Sequence, residues 1–478
     1  MSFSDALFKS YTEKRRDKWD DIAAAERKKW TAYYREWLAK VYRFCIPPGA
    51  RVLDLGCGKG DLLASLNPSD GVGVDFSQRM IDDAQRRHPG LRFVCADVHS
   101  LKIDGEFDYI VMSDLLNDVW NVQDILTGIS GLYHSETKLI FNFFSHLWKG
   151  PLNLVRSIGL ANETLPQNWL TREDMVNLLY LSGYEVFRSW TEFLMPFDIP
   201  LLAGISNSLL AKIWPFKVFD LANFMIARPK PRVRPEWLDR PPSVSVLVPA
   251  RNEAGNIEAI LERTPDMGGG TEIIFVEGNS TDNTYEVIES AIKASSRDCR
   301  LYRQPGRGKG DAVRAGFAEA RGDVLMILDA DMTVPPEELP KFYEAIRSGR
   351  AEFVNGVRLV YPMEGRAMRF FNLLGNKFFS VSFSWLLGQT LRDSLCGTKV
   401  LSRPNYERIV ENRAYFGDFD PFGDFDLLFG AAKLNLRIVD LPVRYRDRIY
   451  GETNIQRWRH GWMLLKMVVY AAFKIKFV

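Results

Sequence analysis

The sequence predicts an α/β protein of two domains, and three observations carry that prediction. Short apolar runs alternate with helical patterns in both halves of the chain, as βα units around mostly parallel sheets do. A segment dense in proline, with Pro229, Pro231, Pro235, Pro241 and Pro242, separates the halves. Each half also has an apolar strand running straight into a polar or glycine-rich loop, "VLDLGCGKG" in the first and "VSVLVPARNE" in the second. Prolines at this density forbid a regular helix or interior strand. The boundaries that follow are residues 1–228, a linker at 229–242, and 243–478.

The totals set limits on function. A chain of 478 residues accommodates two large α/β domains. A net charge of +2 supplies no basic field, which argues against a nucleic-acid binder. Five cysteines (Cys45, Cys57, Cys95, Cys299, Cys396) are odd in number, scattered and without metal-ligand spacing, so a reducing, cytoplasmic setting is expected. The first residues lack an apolar signal core, and no apolar run reaches the length of a membrane span. The sequon Asn279-Ser280-Thr281 is therefore read as coincidence.

In the first half, "ARVLDLGCGKGDLLASL" gives a buried strand through Val52, Leu53 and Leu55, and then a turn at Gly56, Gly58 and Gly60. Glycine lets the backbone approach a ligand there before a helix begins. A second strand ends at Asp75, where an acid can accept both hydroxyls of a ribose, and a third ends at Asp97. A fourth strand ends near Asp114, followed by Asn117 and Asp118, each of which is a candidate base or an ordinary polar loop residue. Trp30, Tyr33, Tyr34, Trp37 and Val41 form an amphipathic helix before the first strand, either packed on the sheet or serving as a lid.

With D-x-G-x-G-x-G followed by acids after strands two and three, residues 40–228 resemble the class I S-adenosylmethionine-dependent methyltransferases. The resemblance implies a Rossmann-like sheet of seven strands. It implies S-adenosyl-L-methionine as cofactor, bound at Asp54, Gly56, Gly58, Gly60, Asp75, Asp97 and Val98. The acceptor is not specified. Signatures of nucleic-acid amino methylation and of cytosine-C5 methylation are missing, since Ser113-Asp114-Leu115-Leu116 follows strand four and no Pro-Cys pair occurs.

In the second half, a buried strand ends at Pro249, another ends at Glu277, and a Gly-Lys-Gly loop around Lys309 opens a helix. A further apolar strand, Val324–Leu328, ends in Asp329-Ala330-Asp331. Two carboxylates so placed can hold a divalent cation together with diphosphate oxygens and water. This order resembles the inverting family 2 glycosyltransferases of GT-A fold, over nearly all of residues 243–478. The resemblance places Pro249, Arg251, Glu253, Glu277 and Lys309 around the nucleotide, and Asp329 and Asp331 on ribose, diphosphate and Mg²⁺ or Mn²⁺. Glu277-Gly278-Asn279 departs from the family's two aspartates and glycine, which leaves a UDP- or a GDP-hexose open as donor. "RDSLCGTKVLSR" and "LPVRYRDRIYGETNI" look like the dolichyl- and polyprenyl-phosphate mannose or glucose synthases. That likeness assigns Asp393, Lys399 and Arg448 to the acceptor pocket or the donor phosphates, although Asn454 and Thr333 depart from the usual residues. By alignment with the family, Asp426 is the first candidate for a general base and Asp424 the second; a phosphate acceptor would need none.

Arg444, Arg446 and Arg448 alternate, so a strand would turn them to one face, toward a phosphate or toward solvent. Phe370, Leu374, Phe378, Val381 and Trp385 share a helical face, and "WRHGWMLLKMVVYAAFKIKFV" mixes aromatic, aliphatic and basic residues. Peripheral contact with a membrane is expected for at least one of these two stretches. "FLMPFDIPLLAGISNSLLAKIWPF" either covers an acceptor pocket or touches lipid.

The expected protein is bifunctional. It transfers a hexose to a lipid phosphate or glycan acceptor and methylates a related intermediate, without a nucleic-acid partner. The rival reading keeps the glycosyltransferase and makes the first domain an S-adenosylmethionine-binding sensor or scaffold.

Overall fold

A computed structural model describes residues 3–24, 29–157, 165–231, 233–361, 370–415, 425–448, 450 and 457–477. The chain divides into two compact units, Met1–Lys230 together with Phe477–Val478, and Pro231–Lys476.

The first unit is built on seven strands: β1 (Arg51–Leu55), β2 (Asp70–Asp75), β3 (Arg92–Cys95), β4 (Phe107–Ser113), β5 (Tyr133–Phe144), β6 (Tyr184–Glu192) and β7 (Ala222–Pro229). Their order in the sheet is β3-β2-β1-β4-β5-β7-β6. β7 runs antiparallel to both of its neighbours, β5 and β6, and the other pairings given are parallel. On β1, Val52 and Leu53 point into different apolar layers, because successive side chains of a strand face opposite sides. Both layers are covered, which explains why the central strands read as continuous apolar runs. The order reverses between β1 and β4, and in open α/β sheets ligands bind outside the carboxyl ends of strands at such a point.

The second unit has β8 (Val244–Ala250), β9 (Thr271–Glu277), β10 (Cys299–Arg303), β11 (Val324–Ile327), β12 (Phe353–Val357), β13 (Lys399–Ser402) and β14 (Ile438–Pro442). The order is β10-β9-β8-β11-β13-β12-β14, with β13 antiparallel to both β11 and β12. Val246, Val248, Phe275 and Met326 anchor the core on one side of this sheet. The fold class expected from the sequence holds in both units.

The proline-rich segment 229–242 contains the boundary between the two units and carries short structure of its own. Pro229 closes β7 opposite Tyr184, and a helical turn at Glu236–Asp239 buries Trp237 in the second core. Proline is tolerated at a strand end or ahead of a helix, where its missing N–H costs nothing. The arginines 444, 446 and 448 do not lie on a strand, because β14 stops at Pro442. Freed from strand geometry, they separate: the Arg444 guanidinium lies 5.3 Å from the centre of the Tyr361 ring, while Arg448 turns toward Asp331.

Candidate functional site

Each unit has a cluster of chemistry at the carboxyl ends of its central strands. In the first, a cavity of about 530 Å³ is lined by Asp54, Gly56, Gly58, Asp75, Asp97, Val98 and Asp114, among others. Gly56, Gly58 and Gly60 have φ values of 75°, 53° and 73°, a region in which side chains other than glycine are strained. A Cβ on Gly58 would meet nothing within 4 Å, so its backbone is bare to a ligand. Asp75 closes β2 and accepts hydrogen bonds from Gly58 N and Ser77 N, both at 2.9 Å, which fixes the loop. Asp97 accepts from His99 N at 2.9 Å and pairs with His99 Nδ1 at 2.8 Å. Burial pushes the Asp97 carboxyl up, but the His99 contacts outweigh it and hold it below the usual carboxylate range.

Asp54 is the unsatisfied member. It is 1% exposed, and neither of its oxygens has a hydrogen-bond partner among the described residues. Burial, reinforced by the charge of Asp75, pushes its pKa up to about 8. A buried carboxylate without partners is costly unless a donor or cation reaches it. The ammonium and sulfonium of S-adenosylmethionine are cations of the right kind, and the open Gly58 backbone gives that ligand room. The cavity therefore fits the group that the sequence implies.

The helix Phe3–Ala24 places Tyr11, Arg15, Trp19 and Ile22 along the same cavity. Tyr11 Oη donates to the carbonyls of Asp118 and Val119 at 3.3 and 3.2 Å, Trp19 Nε1 donates to Asp118 Oδ2 at 3.2 Å, and Lys59 Nζ donates to Ala23 O at 2.7 Å. Sequence reasoning missed this roof. Its signal was the spacing of Tyr11, Arg15 and Trp19 at i, i+4 and i+8, one face of a helix. Of the predicted amphipathic helix, Tyr34 and Trp37 are buried and Tyr33 and Val41 pack at the core edge. "FLMPFDIPLLAGISNSLLAKIWPF" docks through Asn207, whose Nδ2 donates to Tyr33 Oη at 3.0 Å, and leaves Leu201 85% exposed.

In the second unit, β11 delivers Asp329 and Asp331. Lys309, the first residue of the helix Lys309–Glu319, pairs with Asp329 at 2.5 Å. Arg448 bridges Asp331 at 2.6 Å and Glu253 at 3.5 Å. Burial raises the Asp329 carboxyl, yet the Lys309 ammonium outweighs it and keeps the group below its ordinary value. Burial pushes Glu253 up to about 7, with Arg448 acting in opposition. Thr333 Oγ1 donates to Asp331 Oδ1 at 2.8 Å. Among the described residues no group of three metal-ligating side chains occurs. Two hard carboxylates still suit Mg²⁺ or Mn²⁺, because such ions take one or two protein carboxylates and complete their shell with phosphate oxygens and water.

The remaining predicted residues fall around this cluster or apart from it. Pro249 and Ala250 end β8, Arg251 follows exposed, and Glu277 is buried and accepts from Ser280 N at 2.5 Å. The sequon loop is thus tied by its own backbone, and Thr281 N also donates to Asn252 Oδ1 at 2.8 Å. Asp393 is fully buried, and its oxygens accept from Arg358, Asn376 and Leu395 N. Among the described residues it fixes the Arg358 side chain. Lys399 is buried on β13 and donates to Cys396 O. Asp426 forms ion pairs with Arg413 at 3.5 Å and Arg314 at 3.8 Å. Asp418, Asp420, Asp424, Asn454 and the side chains of Trp30 and Phe370 lie outside the described residues.

Arg358 and Gly397 were missed as site residues. Arg358 is a positive neighbour of Asp329. A Cβ at Gly397 would collide with Asp329 Oδ2 and Lys309 Nζ, so glycine is what lets the segment leading into β13 pass close to Asp329. The sequence marked neither, because their importance arises only when β11, β12 and β13 come side by side.

Comparison with known proteins places this geometry. The family model "Glycosyl transferase family 2" matches residues 245–409, and "Methyltransferase domain" matches residues 52–134. The chain is 30% identical over 217 residues to the dolichyl-phosphate hexose transferase of Haloferax volcanii, covering 45% of this chain and 86% of that protein. The chain belongs to glycosyl transferase family 2. Its second half is a glycosyltransferase related to the polyprenyl- and dolichyl-phosphate sugar transferases, and a methyltransferase domain precedes it. The undecaprenyl-phosphate 4-deoxy-4-formamido-L-arabinose transferase of Edwardsiella ictaluri is 26% identical over 232 residues, 48% of this chain and 66% of that one. The dolichol-phosphate mannosyltransferase of Pyrococcus furiosus is 38% identical over 109 residues, 22% of this chain and 30% of that one. The family 2 chain described here thus spans two thirds or less of the length of several curated relatives it matches.

Proposed function

We propose that the second domain transfers a hexose, with inversion, from a UDP- or GDP-sugar to a polyprenyl phosphate or related amphiphile, and that the first domain methylates a related glycan or lipid intermediate. The observation that carries this reading is the charge arrangement at the end of β11. Asp329 and Asp331 sit side by side, each matched by a cation that belongs to another element, Lys309 and Arg448. Such a cluster has both signs ready for a diphosphate: carboxylates for a metal, cations for phosphate oxygens.

Asp329 and Asp331 would hold the divalent ion, which when bound neutralises charge building on the departing nucleotide. Lys309 and Arg448 are positioned to exchange their carboxylate partners for diphosphate oxygens. Pro249, Arg251, Glu253 and Glu277 form the nucleotide side of the site. Arg358, held by Asp393, and Lys399 supply positive potential near Asp329, suited to an anionic acceptor. A phosphate acceptor is already a nucleophile, so no base is required. With a hydroxyl acceptor, Asp426 or Asp424 would take the proton.

An amphiphilic acceptor also suits the surface. Helix Phe370–Leu387 exposes Leu374, Phe378, Val381 and Trp385, and helix Arg457–Ala471, packed against it, exposes Trp462, Leu465 and Val469. The nitrogens of Lys466 and Lys476 lie 5.8 and 5.5 Å from the ring centres of Trp462 and Trp385. Aromatic and basic residues so mixed suit the headgroup level of a bilayer. No helix among the described residues is long and apolar enough to cross one.

In the first domain, Asp54 and the Gly56–Gly60 backbone would hold S-adenosylmethionine, with Asp75, Asp97 and Val98 at its nucleoside end; bound there, it supplies an electrophilic methyl group. The test for sugar transfer uses labelled UDP- and GDP-hexoses with polyprenyl phosphate, comparing the wild type with Asp329→Ala and Asp331→Ala. Loss of a metal-dependent lipid product in both variants supports the assignment, and undiminished product overturns it.

A further inference from the structure

The methyltransferase cavity extends beyond the glycine loop into a part that the cofactor residues do not account for. Asp114 stands at the junction. It follows β4 with φ 57° and ψ 0°, a left-handed conformation that an L-residue adopts at some cost. The next residue, Leu115, packs on the donor loop: a Cβ on Gly56 would stand 2.9 Å from Leu115 Cδ1. Asp114 Oδ1 accepts from Tyr34 Oη at 3.0 Å and from Asn142 Nδ2 at 2.5 Å. Asn142 is itself fixed, because Tyr42 Oη and Ser113 Oγ donate to its Oδ1 at 2.8 and 3.2 Å. Oδ2 of Asp114 has no hydrogen bond among the described residues. Beyond it, the cavity is lined by Asp118, Arg156, Gln167, Trp19 and Trp120. Aromatic faces with a few convergent polar groups suit a sugar, which offers C–H faces and hydroxyl edges.

We propose that Asp114 is the general base for methyl transfer to a hydroxyl group of a sugar, with Tyr34 and Asn142 as its positioning residues. This rests on the reading of the first domain as an active methyltransferase. An oxygen lone pair of the acceptor forms the new C–O bond. The carbon–sulfur bond of the sulfonium breaks and leaves its electron pair on sulfur. The hydroxyl proton passes to Oδ2 of Asp114. A neutral hydroxyl needs such a base as it attacks, whereas a free amine attacks with its lone pair and can lose its proton afterwards.

The environment suits the task. Burial pushes the Asp114 carboxyl up, and the Tyr34 and Asn142 hydrogen bonds pull it back, to about 6. The charged and titratable groups facing it are Tyr34 and Arg35 on one helix, Tyr42 through Asn142, and Asp118 on its own loop. A base with that value is ionised at neutral pH and still a competent proton acceptor.

The test uses the full chain with S-adenosylmethionine and three probes: methyl α-glucopyranoside, methyl α-mannopyranoside and glucosamine. Wild type is expected to methylate a hydroxyl of a glycoside, with kcat/KM falling below about pH 6. Asp114→Asn is expected to lose about 10²- to 10⁴-fold in rate and to lose that acid limb, while calorimetric affinity for S-adenosylhomocysteine stays within about threefold of wild type, a change of less than ~1 kcal/mol. Tyr34→Phe removes a bond that favours the carboxylate, so its acid limb shifts to higher pH. Methylation of the amine alone overturns the hydroxyl assignment. Equal rates in wild type and Asp114→Asn overturn the base but leave the methyltransferase reading intact. Binding of S-adenosylhomocysteine with no transfer to any probe by wild type overturns both and favours the sensor.

Discussion

Replacing Asp54 by asparagine should strengthen the fold and weaken the ligand site together. The side chain is buried without partners, and its pKa is about 8 in the folded chain. A raised carboxylate means that the folded state holds a proton the unfolded state has released. Its stabilising effect is complete below the unfolded value of about 3.9 and is lost as pH climbs through about 8. Between pH 5 and pH 8 that loss comes to about 3–4 kcal/mol for Asp54, from about 1.4 kcal/mol per unit of pH. Asparagine is similar in shape and cannot ionise. The gap in unfolding free energy between Asp54→Asn and wild type should therefore widen by about 3–4 kcal/mol from pH 5 to pH 8. Other titrating groups cancel in this double difference. The assay is denaturant unfolding, followed on the transition that S-adenosylhomocysteine shifts in wild type, which identifies the first domain. Over the same substitution, affinity for S-adenosylmethionine should fall about 10- to 100-fold, the loss of a charged hydrogen bond worth about 1.5–3 kcal/mol. A gap that fails to widen, or an asparagine variant that binds the cofactor as tightly as wild type, would refute the reasoning.

Gly397→Ala puts a methyl group into the Asp329–Lys309 pair, and sugar transfer should drop about 10²-fold with the unfolding midpoint little changed, since small displacements at a reacting centre cost that much. Arg448→Ala leaves Asp331 and Glu253 without their shared cation, so KM for the nucleotide sugar should rise about 10- to 100-fold, and Arg448→Lys should restore only part of it because the planar fork is lost. Phe378→Glu combined with Trp462→Glu should lower co-sedimentation with anionic vesicles at least about tenfold while transfer to a water-soluble short-chain polyprenyl phosphate persists.

Much of both folds was legible because apolar strands ending in glycine or acid are dictated locally. β1 with Gly56–Gly60, and β11 with Asp329 and Asp331, each combine a continuously buried apolar strand with a turn that only certain residues permit. What escaped was set by tertiary contact. The roof of Tyr11, Arg15 and Trp19 reads as an ordinary helix until Asp118 is known to lie beneath it. The pairing of Asp393 with Arg358, 35 residues earlier in the chain, is likewise invisible until the fold brings them together. The alternating arginines predicted a strand face, but a periodicity of two gives no information once the ladder has ended at Pro442. Asp114 was visible as one of three polar candidates, and only Tyr34 and Asn142, converging from distant segments, set it apart.

The central claim is that one chain both loads a hexose onto a lipid phosphate and methylates a related product. The most direct measurement is mass spectrometry of the lipid fraction after the purified chain has been given polyprenyl phosphate, Mg²⁺ or Mn²⁺, a labelled UDP- or GDP-hexose, and S-adenosylmethionine labelled in its methyl group. The account predicts a lipid carrying labelled hexose, a second species heavier by one labelled methyl group, loss of both with Asp331→Ala, and loss of the second alone with Asp54→Asn. Hexose transfer to water only, or a methyl label that never enters a glycan or lipid intermediate, would contradict it.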